Sequence, residues 1–210
     1  VANDLRDRRN LLMDELSELI EVDYYETPDG RFRVDIAGMP LVDHVHVNKL
    51  ETVLVEDSVV DGQIYEVKWE GIDKKVPING GRLRGLIDMR DGRGPEHNEP
   101  MGIPYFIHQL DNLARAFVQE FNAIHREGYS LHHSDVDSVN GYNFFAYDDI
   151  DGHGVEIDIS KVTAANISVA PEIMEDIYNI AMAEEPTIVD GVPREGDNRI
   201  GLKRIDLRNK

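Results

Sequence analysis

The chain has 210 residues, with 22 Lys and Arg against 41 Asp and Glu, a formal net charge of −19. Nucleic acid and anionic bilayers would repel such a surface. The longest uninterrupted apolar run is four residues, at 144–147 and 180–183, against the roughly 20 that a membrane-spanning helix needs. Cysteine is absent, which excludes disulfides, thiolate nucleophiles and Cys-based metal sites. The 41% hydrophobic and 30% charged residues are the proportions of a folded chain. No basic segment followed by an apolar one marks a cleavable signal peptide. The sequence opens at Val1 and turns helical almost at once, so a piece of a longer protein is expected.

Residues 3–21 read as an amphipathic helix. Asn3 or Asp4 can cap it, and Leu5, Leu12 and Leu19 recur every seven residues, with Leu16 on the alternate seam position and Arg9 interrupting the seam. From Val22 the pattern alternates, and 22–27, 31–37, 52–55 and 65–70 are predicted strands. Pro28-Asp29-Gly30 is a hairpin turn, one of seven Asn-Gly or Asp-Gly pairs in the chain. Residues 83–89 form a short helix, and 92–102 a loop with two prolines and three glycines. The strongest helix follows over 104–127. Its Ile103, Leu110, Phe117 and Ile124 stand seven apart, with Phe106, Leu113 and Phe121 widening the stripe, so it should pack against more than one neighbour. Strands are predicted at 142–147, 155–159 and 167–169, then helices at 171–183 and 198–209. The fold class is α+β: a helical bundle or coiled-coil portion with an inserted β-rich domain, discontinuous in sequence. Residues 1–21, 80–128 and 171–210 make the helical domain, and 22–79 with 129–170 the β-rich one.

Catalytic signatures are missing: there is no H-E-x-x-H, no G-x-S-x-G, no phosphate loop and no dinucleotide fingerprint. His44 and His46 would share a face if both lay on a strand, as a metal chelate requires. His132, His133, Asp135 and Asp137 form a denser set of ligand-type residues. A solvated loop is the favoured account of that set, and a secreted metal-binding domain or metal-dependent enzyme built on it is the alternative reading. Trp69, the single tryptophan, lies in a predicted strand and reads as a packing residue.

Five blocks carry a resemblance. Asn3 to Leu12 with Asp14 to Ser17, Gly80 to Leu86 with Arg90-Asp91, Leu110 to Phe117 with Phe121 to His125 and Gly128-Tyr129, Phe144-Phe145, and Gly196 to Asn198 with Leu202 and Leu207 to Asn209 follow one another in order. Together they resemble the flagellar hook-associated protein 1 family, the proteins of the hook–filament junction. The 92–102 loop is longer than that family's pattern, and Gly201, Lys203 and Arg204 depart from it.

The resemblance implies a structural protein of the bacterial flagellum without catalysis or cofactor. It implies export by the flagellar type III system to the cell exterior. Its partners would be the hook protein, a second junction protein and further copies of itself, with an export chaperone engaged through a missing C-terminal part. Leu5, Leu12, Leu16, Leu19, Leu110, Leu113, Phe117 and Phe121 are the residues expected to pack the helical bundle, and His125 becomes a packing or interface residue. Lacking the polymerising ends, the chain by itself is expected to be a monomer. A flagellin-like filament subunit is a third reading, which the helical blocks disfavour.

Overall fold

A computed structural model describes residues 2–57, 62–131, 141–147, 157–186, 188–189, 192–193 and 196–207. They form two compact units, 1–106 and 107–210, each containing helix and antiparallel strand, so the chain is α+β as the alternating periods predict.

The first unit opens with helix α1 (Ala2–Leu19). A four-stranded antiparallel sheet follows, with β1 (Asp23–Glu26), β2 (Phe32–Ile36), β3 (Met39–Asp43) and β4 (His46–Val47) in sequence order. The turn at Pro28-Asp29-Gly30 joins β1 to β2, as its sequence predicts, with the Gly30 N–H donating to the Thr27 carbonyl. The sequence reading misses β3 and β4. Pro40 is the reason: proline is a poor strand residue, and here it pairs with Asp35 beside an irregularity in β2 that follows Val34. The hairpin of β5 (Leu50–Asp57) and β6 (Gly62–Trp69) is longer than the two predicted strands, and α2 (Gly81–Asp91) extends the predicted 83–89 helix at both ends. Ile20, Ile36, Trp69, Val76 and Ile78 make the buried core, with Leu16, Leu41, Val67, Leu83 and Ile87 packed around them. In the loop after α2, Gly92 and Gly102 lie so close that a Cβ on either would meet backbone atoms at 2.4 Å and 2.5 Å. Only glycine lets the chain double back there. Arg93 grips Glu99 through two side-chain hydrogen bonds across the same loop, and this bond holds the Glu99 carboxyl down at about 2.

The second unit takes up α3 (Ile103–Arg126) from residue 107 and adds β7 (Phe145–Tyr147) paired antiparallel with β8 (Ile167–Val169). It continues through α4 (Pro171–Glu175), the two-residue strands β9 (Ile188–Val189) and β10 (Val192–Pro193), and α5 (Arg199–Asp206). Two expectations are corrected. The predicted 171–183 helix stops after one turn, because the Asp176 carboxylate accepts the Tyr178 N–H and Asn179 donates to the Glu172 carbonyl. These side chains offer the backbone an alternative to helical bonds. The strand predicted over 155–159 ends instead in a 3-10 turn, Ile159–Lys161, capped by Asp158 accepting from Ser160. Residues 155 and 156 lie outside the described residues.

Gly81 sits at φ +78, and a Cβ there would lie 2.7 Å from backbone atoms of Leu19 and Ile20. Gly81→Ala is expected to destabilise the first unit by about 2 kcal/mol or more. Trp69, the sole tryptophan and 2% exposed, reports that transition by fluorescence. An unchanged denaturation midpoint would show that the turn tolerates a side chain.

Candidate functional site

Helix α1 has two apolar faces. Arg9, Met13, Leu16 and Ile20 recur at the four-then-three spacing of one helical stripe and turn toward the first unit. Met13 and Ile20 are buried and Leu16 is half-buried against the core. The break at Arg9 has a local cause: its guanidinium lies 4.3 Å from the Phe32 ring centroid and pairs with Glu26 at 3.0 Å. At 3.6 residues per turn, Leu5, Leu12 and Leu19 fall about 70° around the helix from that stripe, and all three are exposed.

Helix α3 repeats the arrangement in the second unit. Val118, Asn122 and His125 are buried on one side. Asn122 acts as a surrogate strand: its Oδ1 accepts the N–H groups of Phe144 and Phe145 at 2.9 Å, and its Nδ2 donates to the Phe145 carbonyl at 2.8 Å. The His125 Nε2 accepts the Ala181 N–H at 3.1 Å, so Nδ1 carries the proton and donates to the Tyr142 carbonyl at 2.9 Å. The ring is therefore a neutral bridge between three segments. Burial pushes its pKa down to about 4; the Tyr142 bond opposes that shift, and the nearby Arg204 cation reinforces it.

The remaining apolar stripe of α3 in this unit, Ile107, Leu110, Leu113 and Phe117, is exposed, Leu113 by 66%. Phe117 leans on Phe121 and Phe145 at 5.6 Å and 5.3 Å between ring centroids, and Phe121 packs on Phe144 at 5.0 Å. These rings form a platform beside α5. There Ile200 and Arg204 are buried, whereas Leu202 and Ile205 are exposed. Of the eight expected bundle residues, Leu16 and Phe121 are half-buried in their own units, and Leu5, Leu12, Leu19, Leu110, Leu113 and Phe117 are exposed within this chain.

The histidines resolve differently. His44 occupies the β3–β4 turn at φ +55 rather than a strand, so it does not share a strand face with His46. His132, His133, Asp135 and Asp137 lie outside the described residues. Among the described residues no group of three His, Asp or Glu could hold a metal ion, and no helix is long and apolar enough to cross a membrane. Arg204 and the exposed side of α5 escaped the sequence reading. The spacing pairs Ile200 with Arg204 and Leu202 with Ile205, but spacing alone does not say which pair faces in.

Two outcomes follow from this geometry. Leu113→Ala is expected to cost this chain less than about 0.5 kcal/mol. A loss of about 2 kcal/mol or more, measured by thermal unfolding, would mean the side chain is covered. His125 is neutral in the fold and accepts a proton more readily when unfolded, near its ordinary value of 6.5. Its contribution is therefore complete above pH 6.5 and falls by about 3 kcal/mol as pH drops toward 4. NMR titration of the ring is expected to centre near pH 4, with protection of the Ala181 amide falling in step. A midpoint near 6.5 would put the ring in water.

Comparison with known proteins supplies the context for these faces. The family model of the flagellar hook-associated protein FlgK helical domain matches residues 1–145. The flagellar hook-associated protein 1 of Bacillus subtilis is 26% identical over 195 residues, covering 83% of this chain and 36% of that protein. Those of Salmonella typhimurium and Salmonella typhi are each 25% identical over 204 residues, covering 93% of this chain and 34% of their own length. The chain thus spans about a third of the length of the curated relatives it matches. With a family match over more than half its length, the chain belongs to the flagellar hook-associated protein FlgK family.

Proposed function

We propose that this chain is part of a non-catalytic adapter that joins the flagellar hook to the flagellin filament, as a ring of identical subunits between two polymers of different mechanics. The observation that carries the reading is the pair of exposed apolar stripes, Leu5, Leu12 and Leu19 on α1 and Leu110, Leu113 and Phe117 on α3. Each lies beside a stripe that its own unit already covers. Apolar surface of this kind marks an interaction site. A wall of packed helices would cover both stripes.

In the intact protein, residues 1–21, 80–128 and 171–210 would belong to that helical wall, and 22–79 with 129–170 to a β-rich part facing outward. The partners are the hook protein, a second junction protein and neighbouring copies, with a secretion chaperone bound through a segment beyond this chain. The protein would reach the cell exterior through the flagellar type III system. By itself this chain should remain a monomer.

Antibody raised against the chain is expected to give a single immunogold cluster between hook and filament on the source bacterium. Label along the whole filament would indicate a flagellin-like subunit, and no flagellar label would refute the reading. Leu110→Asp combined with Leu113→Asp in the full-length protein should abolish filament attachment, while the same pair in this chain shifts its thermal midpoint by no more than about 2 °C. Normal attachment by the double variant would remove the α3 stripe from the assembly surface.

A further inference from the structure

Helix α5 is packed the wrong way round for an isolated amphipathic helix. It buries Arg204, 9% exposed, and leaves Leu202 and Ile205 at 52% and 62% exposed. The Arg204 guanidinium lies 5.2 Å from the Phe121 ring centroid and 6.0 Å from that of Phe144. Its Nε and Nη2 are enclosed without a hydrogen-bond partner, and Nη1 is the guanidinium nitrogen not enclosed in this way. Among the described residues no carboxylate pairs with it. Burial alone holds its pKa down at about 10, still charged at neutral pH. The two rings offset part of the desolvation, but a buried cation without a counter-charge is a costly arrangement unless one arrives.

The surroundings describe what would bring it. Phe121, the ring nearest the guanidinium, continues through Phe117 into the exposed Leu113 and Leu110 stripe of α3, whereas Leu202 and Ile205 lie on the other side of α5. A cation set into an apolar surface is matched by an apolar helix face interrupted by one carboxylate. The relatives extend to about three times the length they share with this chain, so most of such a protein lies outside these residues.

We propose that Arg204 receives an Asp or Glu carried in the apolar stripe of a helix from the remainder of the same protein, which seats on α3 and α5. This rests on the family's structural role proposed above and adds the recognition chemistry of one contact. The carboxylate enters at Nη1, while Phe121 and Phe144 keep the guanidinium fixed.

The test compares the 210-residue chain with the full-length protein, each as wild type, Arg204→Met and Arg204→Lys. In the 210-residue chain Arg204→Met is expected to leave the thermal midpoint unchanged or raised, because it removes an unpaired buried charge. In the full-length protein it should lower the midpoint by about 4 °C or more, since it strands the partner carboxylate. Arg204→Lys should recover at least half of that loss, including where Arg204→Met fails to fold. Equal shifts in both forms, or no recovery by lysine, would overturn the proposal. A loss that appears only at concentrations where the protein self-associates would assign the carboxylate to a second copy, and would equally overturn it. The measurement needs no flagellum, so its failure is distinct from an immunogold result that removes the junction role.

Discussion

Two buried polar side chains on one turn of α3 hold the second unit together. Asn122 satisfies three backbone groups of Phe144 and Phe145 that would otherwise be orphaned beside a helix. His125 bridges Tyr142 and Ala181 through its two nitrogens. Among the described residues neither segment has a full sheet to bond to, since β7 and β8 are three residues each. A buried backbone group without a partner costs about as much as a lost hydrogen bond, so α3 supplies side chains in place of strands. The neutral imidazole is essential to that role, because only the uncharged ring can donate at one nitrogen and accept at the other.

The same helix shows why an apolar residue at regular spacing need not be a core residue of its own domain. Its stripe is wider than the unit it belongs to can cover. Val118 is fully enclosed, while Leu110, Leu113 and Phe117 stay in solvent. α1 divides in the same manner between Met13 and Ile20 on one side and Leu5, Leu12 and Leu19 on the other. Burying one stripe and presenting another is the pattern that the proposed helical wall calls for, and the chain belongs to the FlgK family.

Much of the fold was legible in the residues. The 3.6-residue periodicity gave α1 and α3 to within a few positions, and Pro28-Asp29-Gly30 gave the first hairpin. Errors came where a single side chain outweighs a pattern. Asp176 diverts the backbone after one helical turn although Ile173, Ile177 and Ile180 continue the helical spacing. Pro40 hides a strand that the neighbouring irregularity accommodates. Arg9, which breaks the seam of α1, turns out to face the sheet and stack on Phe32.

The class, the helical stripes and the family resemblance can be read from the residues, because they depend on local periodicity and on the order of short motifs along the chain. Tertiary structure alone decided which stripe is covered and which is bare, because that depends on how much surface each unit has to offer. It also decided that His125 is neutral and Arg204 is enclosed between aromatic rings, since charge state follows from burial and from neighbours distant in sequence. The spacing of Ile200, Leu202, Arg204 and Ile205 is compatible with either face turned inward. Packing against Phe121 and Phe144 selects the one that buries the cation.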